Sequence, residues 1–296
     1  MGINHALIFT KDAEILFDEP MGKHTTYRLG GKAKYFVTPK TQKALINLLN
    51  IASEYDIPYF VLGNGSNLLV SDKGYKGLII NTKGLNNYRI TDNFLTAECG
   101  VNLNKVILSL KDRGLSGLEN LYTIPSTIGG AVCMNAGAFG SQIADCLKVV
   151  CVYKDGEVRY YDKCDCDFSY RNSIFQKNNG IIFSASFILN RSSPQEILDK
   201  IKCVIEKRKN LPKERTCGSV FRNPNGDFAG RLIESLSLKG FRSGGAQISN
   251  VHANYIVASN GAKALDVYNL ITYVKDRVYK EYSIKLIEEV KFLGEF

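Results

Sequence analysis

Residues 61–80 read VLGNGSNLLVSDKGYKGLII. A β-rich apolar run enters the stretch, Gly63, Gly65, Ser66 and Asn67 crowd a tight turn, and a second strand-like run begins at Leu68. Glycine reaches positive φ without a Cβ clash and lets backbone N–H groups approach a phosphate closely, while serine and asparagine add donors. The stretch is not the dinucleotide fingerprint of a Rossmann unit, because Leu68 stands at the third glycine position and no helix follows. It also lacks the Lys-Ser/Thr ending of a P-loop. Taken alone, it fits a plain hairpin turn equally well.

A second run, IPSTIGGAVCMNAGAFG (124–140), is dominated by small residues. Two such segments in one half of the chain suit an extended anionic ligand. The Thr-Ile-Gly-Gly-Ala turn and the following Asn135, Gly137 and Gly140 offer backbone donors and room for a flat ring system.

The surroundings are mixed. Apolar spacing predicts a helix within 38–56, N-capped by Thr41, and a second over 102–114 closed by Gly114. Strands are expected in PYFVLG (58–63), GLIINT (77–82) and NFLTAECG (93–100), a hairpin over 147–161 about Asp155-Gly156, and a buried strand over 180–189. SSPQEILDKIKCVIEKRKN (192–210) opens with a capping box, Ser193 and Glu196, and places Pro194 first, so a helix and a domain boundary are set near 195. Helices within 227–238 and 262–282, a strand-like NYIVAS (254–259) and a terminal SIKLIEEVKFLG (283–294) complete an α+β second region.

Composition narrows the function. A chain of 296 residues with 45% hydrophobic and 23% charged positions reads as globular, with room for about two domains. The net charge of +9 suits nucleic acid or a small anion. Basic residues are spread thinly apart from EKRKNLPKER (206–215), which carries Glu206 and Glu214, so a phosphorylated ligand is favoured and nucleic acid is not expected. No signal-like or membrane-spanning run is present, and Ala6 breaks the myristoylation pattern; a cytoplasmic protein off the membrane is expected. Eight cysteines without a C-x-x-C, beside three histidines, read as buried reduced thiols, with no metal site.

Five motifs then fall in a characteristic order: LGNGSNLLV, IPSTIGGAVCMNAGAFG, FSYRNSIF (168–175), CGSVFRNP (217–224) and EEVKFLG (288–294). In this order the chain resembles the UDP-N-acetylenolpyruvoylglucosamine reductase family, also called UDP-N-acetylmuramate dehydrogenases, from HTTYRLGGKA (24–33) almost to the C-terminus. The resemblance implies an α+β fold: a two-lobed FAD-binding domain of the vanillyl-alcohol-oxidase (PCMH) type and a smaller α+β substrate-binding domain. The first would cover 1–195, with lobes of about 1–82 and 83–195. The second would cover 196–296, its terminal strand 284–293 returning to the active site.

The implied activity is NADPH-dependent reduction of the enolpyruvyl group of a UDP-sugar to a lactyl ether, in peptidoglycan precursor synthesis and so in cell-wall growth, cell shape and division. FAD would be held non-covalently and the protein would be a monomer. The implied cofactor residues are Gly63, Asn64, Gly65, Ser66, Asn67 and Leu68 in the first run, and Pro125, Thr127, Gly129, Gly130, Asn135, Gly137 and Ala138 in the second. Hydride addition to the terminal alkene carbon builds charge beside the carboxylate, which calls for a fixed cation and then a proton.

Arg171 matches the family's catalytic arginine, Ser219 its proton donor, and Glu289 its acid; Tyr170 and Asn223 match substrate contacts, and Lys239 and His252 align with weaker ones. Without the resemblance these read as a solvated arginine, turn residues, surface carboxylates and a structural histidine. Alternation puts Leu286, Glu288, Val290 and Phe292 on one face and Ile287, Glu289 and Lys291 on the other, which does not choose between the glutamates; the family pattern selects Glu289. Two departures stand out. Arg222 replaces a common lysine, and the short segment from Arg171 to Ser193 resembles the compact branch that lacks an additional substrate-covering loop.

Three alternatives stay in view: an FAD-dependent oxidase of the same fold, a serine hydrolase using Ser219, and a non-catalytic flavin or nucleotide-sugar sensor. Neither glycine run contains a histidine for a covalent flavin link, and no G-x-S-x-G elbow surrounds Ser219.

Overall fold

The structure is a computed structural model that describes residues 2–178 and 180–296. It consists of two compact units interleaved in sequence: one of Met1–Ile15, Val37–Asn64 and Ile79–Lys209, the other of Leu16–Phe36, Gly65–Leu78 and Asn210–Phe296. The strands Ala13–Pro20, Lys32–Pro39 and Tyr75–Asn81 each run from one unit into the other.

The first unit is organised by a five-stranded antiparallel sheet in the order Glu157–Asp162, Leu147–Lys154, Ile181–Ile188, Phe94–Glu98, Tyr88–Thr91. Val150, Val152, Phe183, Ala185 and Phe187 are buried, as period-two alternation demands of a sheet with one packed face. Asp155 and Gly156 have φ of 53° and 85°, the two left-handed residues of a type I′ hairpin. Thr41 caps the Gln42–Glu54 helix by accepting from the Ala44 amide at 3.1 Å. The Leu103–Asp112 helix ends before Gly114, whose φ is 64°.

The expected boundary near 195 moves to 209/210. The Pro194–Arg208 helix has its capping box, Ser193 Oγ accepting from the Glu196 amide at 3.1 Å, but it packs in the first unit. Lys200 Nζ reaches Glu119 Oε1 at 2.7 Å, and Glu119 is 5% exposed, so this ion pair ties the helix to the 116–121 segment. The first unit also contains a short helix, Ile128–Cys133, where a turn was expected. Thr127 caps it, and Ile128, Ala131 and Val132 bury its inner face, so packing overrides the low helix propensity of Gly129 and Gly130.

In the second unit the Ala264–Tyr282 helix buries Val267, Leu270, Ile271, Val274 and Val278, a stripe at helical spacing, against a small antiparallel sheet of Arg242–Ser243, Ala246–Ile248 and Ile256–Ala258. The terminal segment departs from the expected strand 284–293: only Lys291–Leu293 is a strand, and it pairs in parallel with Leu68–Val70. Leu286 and Val290 are buried and Ile287 is 61% exposed, so the alternation expected on that segment is kept while most of the ladder is not formed.

No helix of the described residues is long and apolar enough to cross a membrane. None of the eight cysteines is joined in a disulfide among the described residues, but only Cys99, Cys166 and Cys217 are buried, and Cys164 and Cys203 are exposed, contrary to the expectation of buried thiols throughout. Cys203 lies on the outer side of an amphipathic helix whose Ile201 and Val204 face inward.

The Ala264–Tyr282 helix starts on an aspartate distant in sequence: Asp72 Oδ1 accepts from the Ala264 amide at 2.9 Å and Oδ2 from the Leu265 amide at 3.0 Å. Asp72→Ala is expected to lower unfolding stability by about 1–2 kcal/mol in a urea titration, with Asp72→Asn losing less than half as much. Equal losses in both variants would show that the cap is not what the aspartate supplies.

Candidate functional site

In the first unit the two glycine runs meet. Asn64 Nδ2 donates to the Pro125 carbonyl at 2.9 Å, and a Cβ on Gly63 would stand 2.7 Å from Thr127 Oγ1. Such a contact leaves no room for a side chain, which is why residue 63 is glycine. Gly129 is equally confined: its amide donates to the Cys99 carbonyl at 2.8 Å, and a Cβ there would lie 2.7 Å from Cys99 Cβ. Packing against Thr127 and Cys99 therefore fixes the main chain at these two glycines, a cradle of backbone that carries no side chains of its own there.

Asn135 is 1% exposed with φ of 43°, and its Nδ2 donates to Gln142 Oε1 at 2.8 Å and to the Ser169 carbonyl at 2.9 Å. Its Oδ1 is buried and accepts no hydrogen bond among the described residues, leaving an acceptor for a ligand donor. The glycine cradle and this orphaned acceptor fit a flat, hydrogen-bonding cofactor that carries phosphates.

Asn135 also tethers the loop that carries Tyr170 and Arg171. Arg171 has φ of 55°, a conformation that costs an L-residue about 1 kcal/mol, and is held there by Gln176 Nε2 donating to its carbonyl at 3.0 Å and by the paired Ser169 and Asn172 main chains. Its guanidinium sits 5.4 Å from the Tyr170 ring, and Arg171 Nη1 lies 3.3 Å from where a Cβ on Gly137 would stand. The nearer obstacle to a Cβ on Gly137 is the Ser141 carbonyl oxygen at 2.8 Å, so the hairpin main chain is what requires glycine there.

In the second unit Ser219, Asn223, His252 and Asn254 line one cleft of about 600 Å³, together with Phe228, Arg231 and Glu234. Gly65, Ser66, Asn67 and Leu68, the remainder of the first turn, belong to this unit. Gly65 has φ of 65°, and a Cβ there would fall 2.0 Å from the His24 carbonyl oxygen.

Ser219 pairs with Tyr255 across an isolated bridge, and Asn254 fixes the next residue but one: its Oδ1 accepts from the Phe221 amide at 3.0 Å and its Nδ2 donates to the Phe221 carbonyl at 2.9 Å. Asn254 is 4% exposed and is a positioning residue that sequence reasoning missed. Its amide side chain mimics a neighbouring strand, and nothing in a one-dimensional pattern marks that use.

His252 is neutral near pH 7, because burial pushes its pKa below the ordinary value and the nearby Lys239 pushes it further. Its Nδ1 accepts from the Asn254 amide at 3.2 Å, which assigns the ring proton to Nε2. Asn223 Oδ1 accepts from the Ala229 amide at 3.1 Å and so also starts the Ala229–Ser235 helix. Lys239 does not line the cleft; it pairs at 2.6 Å with Glu234, which does.

The two glutamates of the terminal segment are told apart by their partners. Glu288 Oε1 is 2.5 Å from Lys275 Nζ, whereas the Glu289 amide donates to the Val220 carbonyl at 2.8 Å, beside Ser219. The Cys217 thiol is pushed up to about 12 by burial, with the Glu289 charge adding to the rise. Arg171 belongs to the first unit, and Ser219 and Glu289 to the second.

Comparison with known proteins agrees with both units. Residues 33–161 match an FAD binding domain model, and residues 210–293 match the UDP-N-acetylenolpyruvoylglucosamine reductase C-terminal domain. The chain is 41% identical over 286 residues to the UDP-N-acetylenolpyruvoylglucosamine reductase of Halalkalibacterium halodurans, covering 95% of each. It is 38% identical to that of Bacillus subtilis, covering 95% of this chain and 94% of the relative. The crystal structure of the Thermus caldophilus reductase superposes with a TM-score of 0.82 at 35% identity, covering 95% of this chain and 99% of that one. A Physcomitrella patens BBE-like protein shares the fold over 64% of this chain and 45% of its own, at a TM-score of 0.51 and 16% identity.

Gly65 and Gly226 both have positive φ, 65° and 75°, but only Gly65 has backbone within 4 Å of its missing Cβ. Gly226→Ala is expected to cost about 1 kcal/mol in denaturant unfolding and Gly65→Ala at least about 3 kcal/mol, with loss of bound flavin. Equal effects would mean that the His24 contact does not constrain the turn.

Proposed function

This chain belongs to the UDP-N-acetylenolpyruvoylglucosamine reductase family, and from that premise we propose that it is an FAD-dependent oxidoreductase of peptidoglycan precursor synthesis. It reduces the enolpyruvyl group of UDP-N-acetylglucosamine enolpyruvate to the lactyl ether of UDP-N-acetylmuramate, with NADPH as reductant, in the cytoplasm. The observation that supports the reading is the contact of Asn64 with Pro125, which brings the first glycine run against the second within the first unit.

Gly63, Asn64, Gly65, Ser66, Asn67, Leu68, Pro125, Thr127, Gly129, Gly130, Asn135, Gly137 and Ala138 would hold FAD. When bound, FAD supplies two-electron chemistry, accepting a hydride from NADPH and delivering it to the terminal alkene carbon.

The chain's own residues supply the rest. Arg171 carries a permanent charge whose planar fork holds the substrate carboxylate by two bonds and stabilises the negative charge that develops beside it. Its left-handed backbone is held by the contacts of Gln176 and Asn172, which fix the main chain from which the guanidinium extends. Ser219 Oγ gives its proton to the carbon next to the carboxylate, and Glu289 supports that transfer from the adjoining main chain.

Neutral His252 presents an Nε2–H donor, and Asn223 retains its amide donors for the substrate. Tyr170, 54% exposed beside Arg171, offers an aromatic face, and Lys239 acts through Glu234 at the cleft rim.

Anaerobic NADPH is expected to bleach the purified yellow protein and the UDP-enolpyruvyl sugar to restore the colour; bleaching without recovery would overturn the function. Ser219→Ala is expected to leave bleaching within twofold of wild type and to slow turnover by about 10²–10⁴-fold. Multiple turnovers by that variant at near wild-type rate would remove Ser219 as proton donor.

A further inference from the structure

Asn67 sits at the end of the first glycine turn, where a cofactor contact is expected, but its side chain is committed elsewhere. Asn67 Nδ2 donates to the Glu289 carbonyl at 2.9 Å, and the Asn67 carbonyl accepts from the Lys291 amide at 3.0 Å. One residue therefore holds both neighbours of Val290, which is itself 2% exposed. From Leu68 onward the contact continues as the parallel pairing of Leu68–Val70 with Lys291–Leu293.

The opposite side of Glu289 is also fixed. Its amide donates to the Val220 carbonyl, and Phe221 bridges to Glu288. With the peptide groups before and after its Cα both hydrogen-bonded, the direction of the Glu289 side chain is set by two partners: the Ser219-bearing segment and Asn67. The turn itself is a firm anchor, because the Thr26 amide donates to the Gly65 carbonyl at 3.2 Å and the His24 carbonyl closes over Gly65.

Resting on the functional reading above, we propose that Asn67 is a positioning residue for the reaction: its carboxamide ties the cofactor turn to the main chain of Glu289 and holds the acid in register with Ser219. The side chain that sequence comparison assigns to the cofactor thus acts on the substrate-reducing step. No other residue type of that size offers the same N–H donor; aspartate has the shape but turns the donor into an acceptor facing a carbonyl.

Two readouts on the flavin-loaded protein test this. In hydrogen exchange, Asn67→Ala is expected to speed exchange within 286–293 at least tenfold, with the Gln42–Glu54 helix unchanged. In anaerobic half-reactions, Asn67→Asp is expected to slow reoxidation by the UDP-enolpyruvyl sugar at least tenfold more than it slows reduction by NADPH. Against a Glu289→Gln background the same substitution should cost less than threefold, because coupled residues are non-additive.

Unchanged exchange within 286–293, equal slowing of both half-reactions, or an additive loss with Glu289→Gln would each overturn the proposal. If wild-type protein is not reoxidised by the sugar, the functional reading fails, and the exchange result still decides whether Asn67 holds the segment.

Discussion

The carbonyl oxygen of His24 occupies the place where a side chain on residue 65 would begin. That single close approach forces glycine at the centre of the first turn and fixes the turn against the 24–26 segment. Residues 67–72, just beyond the turn, inherit that placement: Asn67 reaches Glu289, Leu68–Val70 pairs with the last strand, and Asp72 starts the Ala264–Tyr282 helix. A turn of the kind usually read as a ligand cradle is here also the anchor of the second unit's C-terminal half.

The candidate chemistry sits on segments whose backbone is constrained from outside. Arg171 is held in a left-handed conformation, Asn135 in another, and Ser219 lies two residues from a main chain clamped by Asn254. Such positions store a little strain and lose little entropy when a ligand arrives, which is how pre-organisation lowers a barrier. Burial pushes the Cys217 thiol up to about 12 and the His252 imidazole below its ordinary value.

Local signals in the sequence were legible because their causes are local. The Thr41 cap, the Ser193–Glu196 capping box and the Asp155-Gly156 hairpin each depend on residues within a few positions of one another. Features set by distant partners could not be read. Lys200 and Glu119 assign the Pro194–Arg208 helix to the first unit, and packing on Cys99 turns the Thr-Ile-Gly-Gly-Ala stretch into a helix. Alternation could not choose between Glu288 and Glu289, whereas the structure gives Glu288 to Lys275 and ties the Glu289 amide to the Val220 carbonyl. The resemblance of ordered motifs named the candidate residues, while the contacts of Asn254 and Asn67 could be read only from the structure.

Central to the proposed function is that the two glycine runs form one cradle for the phosphates of a bound flavin nucleotide. Equilibrium titration of the flavin-free protein with FAD and with riboflavin, followed by flavin fluorescence, tests it most directly. FAD is expected to bind at least a hundredfold more tightly, since riboflavin lacks the diphosphate that the glycine turns approach. Equal affinity for the two would contradict the cradle.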